Sequence, residues 1–177
     1  MEHSGDRGLE GLNSLRQVEA ENELLKCCGS RNWARRMVAE RPFLSLNKLF
    51  DSADQIWWSL EPRDWLEAFQ SHPKIGEQKA AAAVAVEAQK WSEDEQSGIR
   101  DSAAETIASL AKLNREYEEK FGYIFIVCAS GKSSEEMAGI LRQRLGNDPE
   151  EELRLAAAEQ ARITELRLRK LVYNPIA

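Results

Sequence analysis

Residues 123–130 read YIFIVCAS, and the fold class turns on them. The run is short, rich in β-branched and aromatic residues, and stops at Ser130-Gly131, so its local preference is for a strand. A strand needs a partner, because alone it leaves backbone N–H and C=O groups unpaired. No second run of that kind occurs in the 177 residues. The segment is therefore expected to be buried extended chain inside a helical protein, with its peptide groups satisfied by other means, a bound ligand among them.

Outward from that run the pattern is helical. Upstream, Ile99, Ala103, Ile107, Leu110, Leu113, Tyr117 and Phe121 repeat at three and four and predict a long helix over 93–120, stopped by Gly122. Downstream, helices are expected over 133–145 and 149–173. Closer to the N-terminus, Leu15, Val18, Leu24 and Leu25 give a helical pattern over 12–28, which Gly29 ends. Ser30 caps a helix over 31–40 that Pro42 breaks, and another begins at Ser45 or Leu46 and runs to about Leu60. Pro62 suits the first position of a short helix over 63–70, and the alanine-rich stretch 77–89 is a strong helix former. The expectation is an all-α, single-domain bundle of about eight helices over 12–174, behind a flexible leader over 1–11 rich in Gly, Ser and charge.

Composition narrows the function. With 42% hydrophobic and 31% charged residues the chain reads as an ordinary soluble protein. A net charge of -6 argues against nucleic acid as a partner, but not against a small anionic substrate held by a local arginine. No apolar run approaches the length of a membrane span. Neither MEHSGDRG at the start nor NPIA at the end reads as a targeting signal, so the cytoplasm is expected. Cys27, Cys28 and Cys128 are odd in number, and the adjacent pair is badly placed to bridge, which fits a reducing compartment. There is no CxxC pair and no His/Cys cluster, so no metal site is expected.

Three places carry candidate chemistry. His72, the only histidine besides His3, stands before Pro73 in SHPKIG. Proline restricts the residue before it, so the imidazole sits on a stiff support suited to general acid–base work. The plainer reading is a turn histidine that caps the next helix. In WSEDEQSG, Ser92 and Glu95 have capping-box spacing, and Ser92, Glu95 and Gln96 together would stand at a helix N-terminus that favours an anionic or carbonyl oxygen. Glu95 cannot cap and bind a ligand with the same oxygen. Arg167 lies at the margin of the apolar stripe Leu153, Ala157, Ala161, Leu168 and Val172. It either snorkels or reaches into a pocket, and Arg154, Arg162 and Arg169 compete for that role. The stretch SGKSS over 130–134 is not a phosphate-binding loop, because Ile126 stands where the leading glycine is required. The five tryptophans read mostly as core; of the neighbours Trp57 and Trp58, one is free to face a partner chain.

SHPKIG, W-S-x-x-E-Q-x-G, KFGYIFIVCASGKSSEEM and RITELRLRKLV occur in that order along nearly the whole chain from about Leu12. In that combination the sequence resembles the OHCU decarboxylases, which act on 2-oxo-4-hydroxy-4-carboxy-5-ureidoimidazoline in urate degradation. The resemblance implies an all-helical fold with one buried extended segment and a cofactor-free carboxy-lyase yielding (S)-allantoin. It implies catalytic roles for His72, Glu95 and Arg167. It implies substrate contacts from Pro73, Ser92, Gln96 and the backbone of Ile124, Phe125, Ile126, Val127 and Cys128. A homodimer is compatible with the tryptophan content. The sequence departs from the family at Tyr123-Ile124, where an aromatic–proline step is usual. No transthyretin-like hydrolase domain follows, so a single step is expected of this chain. The rival expectations are a non-catalytic helical interaction module, or a different lyase or hydrolase acting on a ureido compound.

Overall fold

The computed structural model describes residues 2–72 and 93–173. Among the described residues there are eight helices and no strand. They are α1 (Glu2–Ser14), α2 (Gln17–Cys27), α3 (Arg31–Ala39), α4 (Leu46–Trp58), α5 (Pro62–Gln70), α6 (Glu93–Phe121), α7 (Ser134–Arg144) and α8 (Pro149–Tyr173). The all-α expectation holds, and the YIFIVCAS run is extended chain with Phe125, Ile126, Val127 and Cys128 buried. The helix expected over 77–89 lies outside the described residues.

The chain divides into two compact units, Met1–Ser71 with Ala157–Ala177, and His72–Ala156. In the first, α3 packs against α2, α4 and α5. Ser30, predicted as a cap, does that work: its Oγ accepts from the Trp33 N–H at 3.3 Å, and Ser45, one of the two expected starts of α4, caps that helix by accepting from the Lys48 N–H at 3.1 Å. The tryptophans tie helices together, because a buried indole N–H has to find an acceptor. Trp33 Nε1 donates to the Ala53 carbonyl at 3.0 Å, joining α3 to α4. Trp57 Nε1 donates to the Ala157 carbonyl at 2.9 Å, joining α4 to α8. Its neighbour Trp58 is 43% exposed, so the pair does point two ways.

One expectation needs correction. The continuous helix read over 12–28 is broken near Arg16, the N-cap of α2, and its first residues belong to α1, which begins within the stretch read as a leader. Glycines suggested fraying, but Gly8 serves close packing. A Cβ there would fall 1.8 Å from the Val172 carbonyl oxygen, so only glycine lets α1 lie against the end of α8. Leu9 and Leu12 are buried as a result.

The second unit holds α6, the extended segment, α7 and the first turns of α8. Gly122 ends α6 with φ 81°, a conformation that glycine adopts without strain. A capping box opens α7: Ser133 Oγ accepts from the Glu136 N–H at 3.1 Å, and Glu136 Oε2 accepts from the Ser133 N–H at 2.7 Å. Those hydrogen bonds from Ser133 hold the Glu136 carboxyl below its ordinary pKa. Leu110 and Tyr117 of α6 meet Phe125 and Val127 of the extended segment and Met137, Ala138 and Leu141 of α7 in one apolar cluster.

Candidate active site

A buried extended segment poses a hydrogen-bonding problem, and side chains solve part of it. Arg144 is 6% exposed and donates from Nη1 to the Ile126 carbonyl at 2.6 Å. Lys132 Nζ donates to the Cys128 carbonyl at 2.8 Å. Arg144 is anchored in turn by Glu152, which is fully buried: Nε donates to Oε1 at 2.7 Å and Nη2 stands 2.5 Å from the same oxygen. Asn147 Nδ2 donates to Glu152 Oε2 at 2.9 Å, and the Tyr117 hydroxyl donates to Oε1. Burial, with the Glu152 carboxylate beside it, holds the Tyr117 phenol above its ordinary pKa, so it stays a donor. Glu152 also lies in the first turn of α8, where the helix dipole favours a negative charge. The guanidinium packs over the Phe125 ring, 4.7 Å from its centroid. Backbone, ion pair and ring together fix the path of the extended segment.

Sequence reasoning did not single out Arg144, Glu152 or Tyr117. A signal was present: Arg144 falls three residues after Leu141 and seven after Met137, on the buried stripe of α7. A charge on an apolar stripe implies a buried partner, but the pattern does not say which.

In the first unit the last turn of α5 closes at Ser71, whose hydroxyl donates to the Ala68 carbonyl at 2.7 Å. His72 follows directly and is half-buried in a bend. The other candidate is Arg167, half-buried on α8. The four competing arginines separate here. Arg154, Arg162 and Arg169 each pair with a glutamate about one turn earlier on α8, at 2.9, 2.7 and 2.7 Å. Arg167 instead reaches across to α2, where Nη1 donates to the carbonyls of Lys26 and Cys27 at 3.4 and 3.5 Å. These are long bonds to the negative end of a helix, which favours a guanidinium.

The same turn buries two thiols. Burial pushes Cys27 up to about 12, with the Arg167 charge opposing. Burial likewise pushes Cys28 up to about 11, against hydrogen bonds from the Ser30 backbone and the Thr164 side chain. A thiol that stays protonated and inaccessible is a poor nucleophile. Native protein at pH 8 is accordingly expected to leave Cys27 and Cys28 unlabelled by a thiol reagent over minutes, with both labelled in denaturant. Mass spectrometry of the labelled peptides checks this; rapid native labelling of either would contradict it.

Of the sequence candidates, the structure describes His72, Arg167 and Ile124–Cys128. Pro73, Ser92 and the side chains of Glu95 and Gln96 lie outside the described residues. The proposed capping box of Ser92 and Glu95 falls there too. Among the described residues, no group of three or more His, Cys, Asp or Glu side chains is placed to hold a metal ion. No described helix is long and apolar enough to cross a membrane.

Fold and site together define a class: all-helical proteins with one buried extended segment clamped by an arginine–glutamate pair. Comparison with known proteins makes the class specific. The OHCU decarboxylase model matches residues 13–169, and the chain belongs to that family. It is 38% identical over 152 residues to the Arabidopsis thaliana "uric acid degradation bifunctional protein TTL", covering 85% of this chain and 47% of that protein. The chain thus spans about half the length of that relative. It is 30% identical over 135 residues to the "2-oxo-4-hydroxy-4-carboxy-5-ureidoimidazoline decarboxylase" of Amia calva, covering 76% of this chain and 77% of that protein. A crystal structure of an OHCU decarboxylase in the presence of (S)-allantoin superposes with a TM-score of 0.69 at 36% identity, over 86% of this chain and 98% of the other. A crystal structure of (S)-allantoin synthase, at 17% identity and a TM-score of 0.67 over 92% of this chain and 53% of that one, shares the fold.

Proposed function

We propose that this protein decarboxylates 2-oxo-4-hydroxy-4-carboxy-5-ureidoimidazoline to (S)-allantoin and CO2. The likeness to the decarboxylase solved with (S)-allantoin carries the reading. Breaking the carbon–carboxylate bond leaves an electron pair on the ring carbon. The adjacent C=N unit of the substrate takes that pair, so the substrate supplies its own electron sink, the part a cofactor plays in other decarboxylases. That gives an enol: its hydroxyl, the former 4-hydroxy group, loses its proton to become the ring carbonyl, and a proton is delivered on one face to the neighbouring carbon that carries the ureido group.

The protein has three tasks: to turn the carboxylate out of the ring plane, to stabilise charge building on the heterocycle, and to choose the face. In this reading His72 shuttles the proton and Glu95 orients the imidazole and balances its charge. Arg167 holds a substrate oxygen, supported by its guanidinium reaching the Lys26 and Cys27 carbonyls at the end of α2. The backbone of Ile124–Cys128 lines the pocket, while Pro73, Ser92 and Gln96 contact the substrate. The clamp of Arg144 on Ile126 suits a backbone that must hold still. A cytoplasmic homodimer completes the proposal, with Trp58, exposed among the described residues, as a tryptophan available to a second copy.

The test uses freshly generated substrate, followed by absorbance and by circular dichroism of the product. Accelerated decay giving optically active allantoin whose circular dichroism matches that of an (S) standard is expected. Decay at the buffer rate with racemic product would refute the assignment.

A further inference from the structure

We infer that Gly29 is a positioning residue for the proposed decarboxylation, acting through the end of α5 that carries His72; the inference rests on that reaction. The turn between α2 and α3 touches two things in the first unit. On one side the Lys26 and Cys27 carbonyls accept from Arg167. On the other, Gly29 abuts the last turn of α5. A Cβ at Gly29 would stand 2.4 Å from Ser71 Oγ, 2.5 Å from Ser71 Cβ and 3.5 Å from the Ala68 carbonyl oxygen. The first two are far inside van der Waals contact. Rotating the hydroxyl gives no relief, because Cβ of Ser71 is fixed to the backbone. The Ser71 hydroxyl is also held by Ala68, and the Ser71 N–H bonds to the Ala68 and Phe69 carbonyls. Any side chain at Gly29 therefore pushes the backbone at Ser71, and His72 is the next residue.

The rest of the turn cannot yield easily. Cys28 N–H donates to the Leu24 carbonyl at 3.1 Å, and Ser30, fully buried, caps α3. Cys28 is itself fully buried and bonded to Thr164. The displacement consequently falls on the end of α5 and on His72, which follows its C-cap Ser71. A shift of about 1 Å at a group that must meet a reacting atom costs on the order of a hundredfold in rate. Gly29 lacks a side chain with which to touch substrate, so its effect is on geometry alone.

The experiment compares wild type, G29A, S71G and the G29A/S71G double variant for kcat, KM and the pH profile of kcat, each per folded molecule. G29A is expected to lose at least tenfold in kcat with a smaller change in KM, and to shift the limb of the profile assigned to His72. Removing the Ser71 side chain empties the space the new methyl needs, so the double variant is expected within about threefold of S71G. Should G29A not fold, S71V in the wild-type background pushes from the opposite side and carries the same expectation. G29A with wild-type kcat, or a double variant that stays as slow as G29A, would overturn the inference. Inactive wild type would instead refute the decarboxylase reading.

Discussion

His72→Gln is expected to bring stereoselective decarboxylation down by about 10²–10⁴-fold, the usual range for a positioned general acid–base group. Glutamine keeps the size and hydrogen-bonding capacity of the imidazole but does not exchange protons near neutrality. The substrate should still decay at its own rate, and the product should lose its handedness. The helical fold should persist, because His72 lies beyond Ser71, the C-cap of α5, and outside every described helix. Steady-state rates, product circular dichroism and a helical far-ultraviolet spectrum measured on one preparation check all three. Near-normal turnover in the variant would remove His72 from the mechanism.

The second large effect is on stability. Glu152→Ala is expected to cost about 3–5 kcal/mol, because it strands the buried guanidinium of Arg144 without its charge partner. It also strips the Tyr117 hydroxyl and the Asn147 amide of an acceptor. By contrast Arg154→Ala, which breaks an exposed pair with Glu150, should cost about 0–1 kcal/mol. Urea unfolding of the two variants beside wild type separates the cases. A Glu152→Ala protein within about 1 kcal/mol of wild type would mean that the network contributes little to the fold. Because Arg144 also holds the Ile126 carbonyl, the destabilised variant should lose activity faster than structure as urea is raised.

Particular residues explain how much of this could be read from sequence. Ser30, Ser45 and Ser133 signalled helix starts, since capping is a local interaction between residues three apart. The extended segment was legible because a solitary strand-like run in a helical protein has no sheet to join. The helix α1 was not, because Gly8 lowers helix preference locally and its benefit, contact with Val172, lies at the other end of the chain. The ion pair of Arg144 and Glu152 was invisible as a pair for the same reason. Each residue sits on a recognisable helix face, but nothing local names the partner.

At the candidate site, sequence put four arginines of the last helix on nearly equal terms. Geometry separates them, since three are paired within α8 and Arg167 crosses to α2. The small choices were equally hidden: Gly29 looked like a helix stop, and its closeness to Ser71 emerges only when α5 is packed beside it.

The most direct measurement is a crystal structure of this protein soaked with (S)-allantoin. The account predicts one ligand, with the His72 ring, the Glu95 carboxylate and the Arg167 guanidinium turned toward it and the backbone of Ile124–Cys128 along its edge. A ligand bound away from these groups, or three side chains directed to different faces of the molecule, would contradict it.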